Sequence, residues 1–229
     1  MPRIQINVAV HDSCFIKDPL ETALGQRIIR HSIELFHEVG YEQFNFKKLS
    51  ERIGSPEASV YRYFENKYRL LTYLVSWYWD FMHYMILLDT RNIDDPKRRI
   101  RLAFRTLVTT LHEQEVPDYI NQEKLHLIVV NNATKVYHSH KVDELKEKGF
   151  YQNYQKLVNT ISNMILAIDP NFKYPKAIAT NLLELALSNE YNLEHFPELT
   201  DEDQSTGDQA REKTEAMIAY MLSRILDPS

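Results

Sequence analysis

NFKKLSERIGSPEASVYRYFENKYRLL, residues 45–71, is the stretch that decides the fold. Asn45 can cap a helix whose apolar positions Phe46, Leu49 and Ile53 share one face. Gly54-Ser55-Pro56 breaks that helix. A second helix of about two turns, residues 57–64, follows. Asn66 caps a third, predicted from about Lys67 to Leu88, with Leu70, Leu71, Leu74, Trp77, Phe81, Tyr84 and Met85 at helical spacing. A two-turn helix buries too little surface to stand alone. Set between a tight turn and a long brace, it makes sense as a helix presented to a groove, the helix-turn-helix arrangement.

Upstream, Asp18-Pro19-Leu20-Glu21 has the N-cap, first-turn proline and capping-box spacing of a helix start. Ile28, Ile29, Ser32, Leu35, Phe36 and Val39 continue it, and Gly40 is placed to end it as a left-handed cap. Before it, Ile4, Ile6, Val8 and Val10 alternate with Gln5, Asn7 and Ala9, the period of a half-buried strand. That arm either lies on its own domain or pairs with the same segment of a second subunit.

Downstream, the pattern is helical throughout. Helix starts are predicted at Asp95-Pro96, at Pro117-Asp118 and at Pro175. Another helix carries Phe150, Tyr154, Leu157, Val158, Ile161, Ile165 and Leu166 and ends near Asp169-Pro170. Residues 197–209 read as a solvated loop before a final helix with Met217, Ile218, Met221, Leu222 and Ile225. The expected fold class is all-α.

The 229 residues, 44% hydrophobic and 26% charged, are enough for a substantial core. No run reaches the roughly 18 apolar residues of a membrane helix. The start lacks the pattern of a secretory signal, and a single cysteine, Cys14, excludes a disulfide framework; a cytoplasmic location without membrane attachment is expected. The net charge of −5 is unevenly spread: residues 26–71 carry eight basic and six acidic groups, residues 72–229 carry 17 and 23. A mildly basic segment therefore precedes an acidic remainder.

Ile28-Ile29, Leu35-Phe36, Gly40-Tyr41, Leu49, Gly54, Val60-Tyr61-Arg62-Tyr63-Phe64, Asn66-Lys67 and Leu70-Leu71 together resemble the TetR family of bacterial transcriptional regulators. The resemblance covers about a fifth of the chain. It implies an N-terminal arm (1–20), a three-helix DNA-binding head with the helix-turn-helix (21–66) and a larger helical C-terminal domain for effector binding and dimerisation (67–229). It further implies a homodimer on an inverted-repeat operator in double-stranded DNA, released by a small molecule, and no cofactor.

Carried onto this sequence, the short helix enters the major groove with Glu57, Ala58 and Ser59 leading. Ser59 can donate to phosphate or a base edge, and Ala58 permits close approach. Tyr61 and Lys67 match family positions that touch phosphate, Lys47 and Lys48 can reach the backbone, and Arg62, beside Tyr63, can read guanine or grip phosphate. Glu57, Phe44 and Pro56 depart from common family residues, and a carboxylate at 57 repels phosphate while able to accept from a cytosine amino group. Tyr61, Tyr63 and Phe64 have an alternative reading as core aromatics, and the three lysines as a solvated face.

Trp77, Phe81, Tyr84, Phe104, Tyr137 and Tyr154 are the effector-pocket candidates, with core packing as the alternative. Asn131 and Asn132 could line a cavity or pair helices. His138-Ser139-His140, with His126 nearby, lacks the spacing of a metal site. No catalytic motif is present, so an enzyme is not expected. The expected function is a ligand-responsive, sequence-specific DNA-binding regulator acting as a repressor. The alternative is a small-molecule-binding helical protein whose head no longer binds DNA.

Overall fold

The structure, a computed structural model, describes residues 8, 10–109, 116–138 and 142–226. Among them the α-helices are α1 (Ala23–Gln43), α2 (Phe46–Ile53), α3 (Glu57–Tyr61), α4 (Lys67–Thr90), α5 (Pro96–Thr109), α6 (Gln122–Tyr137), α7 (Val142–Glu147), α8 (Gln152–Ile168), α9 (Pro175–His195) and α10 (Gly207–Leu226), and no strand occurs. No helix among these is long and apolar enough to cross a membrane.

The chain divides into two compact units. The first holds Met1–Phe81 with Leu111–Asn153, the second Met82–Thr110 with Tyr154–Ser229. In the first unit α1 packs on α2 and on α6, and α2 packs on α3. Ile28, Ile29, Ile33, Leu49, Val60 and Phe64 have no exposed surface there. Each fully buried side chain of this size stabilises by about 1.5–3 kcal/mol relative to an exposed one. Val60 is the one of these on α3, a five-residue helix with no intrinsic stability that packs on α2. In the second unit α10 packs on α5 and α9.

Several boundaries differ from expectation, each for a local reason. Asp18 caps a 3₁₀ turn, Pro19–Glu21, by accepting from the Leu20 N–H at 2.8 Å. The α-helix itself starts later, under Thr22, whose hydroxyl accepts from the Gly25 N–H at 3.0 Å. α3 stops at Tyr61, because the amides of Tyr63 and Phe64 both turn back to the Val60 carbonyl. Pro117 opens a turn closed by the Ile120 N–H, and Asn121 is the true cap of α6. The helix expected to contain Phe150 is two helices, α7 and α8, parted by a turn at Gly149 (φ 81°). The predicted loop 197–209 contains a 3₁₀ turn, Pro197–Leu199, and gives way to α10 at Gly207.

Of the alternating N-terminal segment, residues 1–7 and 9 lie outside the described residues. Val8 is buried and belongs to no regular element. The next residues form a strap on the first unit. Ile16 N–H donates to the Tyr63 carbonyl at 2.8 Å, and Ser13 Oγ donates to the Lys148 carbonyl at 2.6 Å. Cys14, within the strap, is fully buried.

Candidate nucleic-acid interface

The turn between α2 and α3 follows from Gly54. At φ 64°, ψ 40° it occupies the left-handed region, and its N–H reaches the Ser50 and Glu51 carbonyls. A side chain there meets the strain that glycine avoids. Asn45 caps α2 by accepting from the Lys48 N–H at 2.9 Å. The helical repeat then sends Phe46, Leu49, Ser50 and Ile53 inward and leaves Lys47, Lys48, Glu51 and Arg52 exposed.

Arg52 is committed to α1. Its two terminal nitrogens donate to the two Glu38 carboxylate oxygens at 2.5 and 2.8 Å, a bidentate fork. That hydrogen bonding holds the Glu38 carboxyl below the usual carboxylate range and the Arg52 guanidinium above its own. Lys48 Nζ donates to the Gln43 carbonyl at 3.0 Å. The Lys47 ammonium has no partner among the described residues.

On α3, Ala58 and Tyr61 are exposed and Glu57 and Ser59 half-buried, while Val60 is fully buried; Arg62, the C-cap, is exposed. Tyr61 is 48% exposed, its ring meeting the Phe46 ring edge-on at 5.0 Å. This contact fixes the ring, and neither the Tyr61 hydroxyl nor the Arg62 guanidinium has a partner among the described residues. Exposed donors on a helix anchored by one buried residue suit phosphate and base-edge contact.

Two predicted site residues face inward. Tyr63 is buried, its hydroxyl hydrogen-bonded to Thr22 Oγ1 at 2.7 Å. It ties the end of the helix-turn-helix to the cap of α1. The Lys67 ammonium donates to the carbonyls of Tyr41, Glu42 and Phe44 at 2.9, 3.2 and 3.2 Å. All three of its donors are thereby taken. Those carbonyls are free because α1 stops at Gln43 and Phe44 is extended, leaving a negative helix end for a cation to occupy.

Beside this cage, Lys135 on α6 pairs with Glu42 at 3.2 Å and lies 5.1 Å from the centroid of the Tyr41 ring. An open cleft of about 330 Å³ runs between the end of α1 and α6, lined by His37, Gly40, Tyr41, Asn131 and Lys135 among others. Asn132 is buried and donates to the Ile128 carbonyl, a helix-internal bond, while Asn131 is exposed.

The effector-pocket candidates fall in both units. In the first, Trp77 and Phe81 are buried and stack at 5.2 Å, and Tyr137 tilts against Tyr151 at 5.4 Å. In the second, Tyr84 is 37% exposed, Phe104 is buried and Tyr154 half-buried, its hydroxyl pKa raised by burial and by Glu184. A polar pair not foreseen lies in the first unit: Tyr78 Oη and His126 Nδ1, 2.9 Å apart and buried. His138 is exposed, and residues 139–141 lie outside the described residues. Among the described residues no group of three His, Cys, Asp or Glu is placed to hold a metal.

A short second helix packed on a capped first helix, with a long helix following, is the arrangement of a helix-turn-helix. Residues 28–74 match the family model for bacterial regulatory proteins of the tetR family. That match covers the helix-turn-helix segment, about a fifth of the chain.

Solved structures share its fold at low identity. A TetR-family transcriptional regulator from Syntrophomonas wolfei is 18% identical, with a TM-score of 0.63, over 88% of this chain and 93% of the other. AibR, solved with isovaleryl coenzyme A and operator DNA, is 17% identical, with a TM-score of 0.54, over 83% and 95%. The fatty acid degradation regulator FadR from Bacillus halodurans is 14% identical, with a TM-score of 0.58, over 86% and 95%. No curated protein matches the sequence.

Proposed function

We propose that this chain is a transcriptional regulator of the TetR kind: a cytoplasmic, homodimeric repressor that binds an inverted-repeat operator and releases it on binding a small molecule. The observation that carries the reading is α3: Ala58 and Tyr61 on it and Arg62 at its C-cap are exposed, and its position is fixed by buried Val60 and by the Tyr61–Phe46 ring contact. Arg62 is the base-reading residue, Ser59 and Tyr61 contact phosphate or base edges, and Lys47 and Lys48 contact the backbone. Glu57 selects rather than attracts, accepting from a cytosine amino group. Lys67 and Tyr63 act by positioning, since their polar atoms are bonded inside the first unit.

Residues 21–66 form the head and residues 67–229 bind the effector and make the dimer. The Lys135–Glu42 and Lys135–Tyr41 contacts join α6 to the end of α1, and give an effector-driven shift of α6 a direct hold on the head. An acyl coenzyme A is the first effector class to try, because AibR, of similar fold, was solved with one.

The second reading, a ligand binder whose head no longer engages DNA, is favoured by Glu57 and by the internal use of Lys67. Fluorescence anisotropy on a labelled duplex across a salt series separates the two. The repressor reading expects saturable binding with log K falling linearly in log salt, reversed by an effector. Absence of duplex binding by the folded protein supports the second reading.

A further inference from the structure

Helix α5 concentrates charge in a way the DNA-binding reading does not use. Between residues 96 and 109 it carries Lys97, Arg98, Arg99, Arg101 and Arg105 and no acid. Arg98, Arg101 and Arg105 recur at i, i+3 and i+7, so they share one face, spanning about 10 Å of helix. All three are exposed, and none has an ion-pair partner among the described residues. Like charges at this spacing repel one another, so the face gains from an acidic occupant. In the same unit, Tyr84 and Leu87 on α4 are exposed by 37% and 46%. Thr106 Oγ1, donating to Asp89 Oδ2 at 2.8 Å, fastens α5 to this end of α4.

The complementary set lies in the same unit of the same chain. Residues 196–203, FPELTDED, hold four acids and no base. Glu198, Asp201 and Asp203 are exposed without side-chain ion pairs, while Glu202 pairs with Lys213 at 3.3 Å. Phe196 and Leu199 are 42% and 69% exposed. The segment is held in shape by its 3₁₀ turn and by the Gln204 side chain donating to the Glu194 carbonyl at 2.8 Å. It therefore offers a preformed acidic and apolar face.

We propose that the segment 196–203 of a second copy of this chain seats on the α5 arginine face, acids against guanidinia. This interface is independent of the DNA-reading head. A nucleic acid is the poorer occupant, since the second unit as a whole carries more acidic than basic residues and repels a long polyanion.

Sedimentation equilibrium of the full chain at about 50 mM and about 500 mM salt tests it, because the higher salt shrinks the Debye length to a few ångströms. The expected result is a mass at low salt at least twice that at high salt. Arg98→Glu/Arg101→Glu, and separately Glu198→Lys/Asp201→Lys, should hold the low mass at both salts. Mixing the two variants should restore the high mass. Should the arginine reversal fail to fold, Arg98→Gln/Arg101→Gln replaces it with the same expectation. Equal mass at both salts, variants that associate like the parent, or a mixture that does not associate would overturn the proposal. So would random-duplex binding lost in the arginine variant without any salt-dependent self-association, which assigns the face to nucleic acid.

Discussion

The Lys67 ammonium lies 4.6 Å from the centroid of the Tyr41 ring and donates to the Tyr41 carbonyl at 2.9 Å, so one lysine holds both side chain and backbone of the residue that follows the α1 break. With the Glu42 and Phe44 carbonyls, it closes the end of α1 onto the start of α4. Removing it leaves three backbone acceptors short of a charged donor. Lys67→Ala should cost about 2 kcal/mol in urea unfolding, and Lys67→Arg should not restore it, since a planar fork cannot point three donors at one cage. A Lys67→Ala protein as stable as the parent but weaker on DNA would return this residue to the phosphate contacts.

The residues proposed to face DNA predict the opposite pattern. Arg62→Ala and Lys47→Ala should leave unfolding within about 0.5 kcal/mol of the parent, as unpartnered surface changes do. On DNA, Arg62→Ala should relax preference at one base position by about 1–3 kcal/mol, whereas Lys47→Ala should weaken all duplexes alike and lower the salt slope by about 1. Binding profiles across a set of single-base operator variants check this.

The Tyr41–Lys135 contact is measurable as a coupling. A double-mutant cycle of Tyr41→Leu and Lys135→Ala, read by thermal or urea unfolding, should give an interaction of about 0.5–1 kcal/mol. A cycle that closes additively would remove this contact from the route between α6 and the head.

Acid should loosen the α1–α2 junction. Arg52 holds the Glu38 carboxyl below its ordinary value, so the folded state binds that proton less readily than the unfolded chain. The stabilisation is present above the unfolded carboxylate pKa of about 4.3 and is lost as pH falls towards the folded value. The pair is exposed and worth at most about 1 kcal/mol. Melting curves between pH 3 and 6 should show a shallower acid dependence in Arg52→Ala.

Cys14 should be silent in the folded protein. Burial pushes its thiol up to about 12, against a lesser opposing effect of Arg69. At about pH 8 it is a protonated, inaccessible thiol. A chromogenic disulfide reagent should titrate one thiol only after denaturation; fast reaction in the native state would contradict the strap packing over it.

Much of the head was legible because its punctuation is local. Asn45, Gly54 and Asn66 act at the positions their chemistry suggests, and the inward face of α2 follows from the 3.6-residue repeat. What escaped was set by tertiary competition. Lys67 and Tyr63 look like ligand-facing residues in sequence, yet a helix end and a cap hydroxyl elsewhere in the chain claim their polar atoms. Pro117 suggests an earlier start for α6 than Asn121, since proline opens both helices and turns, and only the Ile120-to-Pro117 bond decides between them. The α7–α8 break hides in an apolar run whose periodicity continues through Gly149, where only a positive φ interrupts it.

The most direct test of DNA reading by α3 is selection of bound duplex from a random pool by the purified chain, with Arg62→Ala in parallel. The account predicts an enriched inverted repeat with half-sites about one to one and a half turns apart, and loss of one base preference in each half-site for the variant. No enrichment by a folded, effector-free protein, or an identical motif from parent and variant, would contradict it.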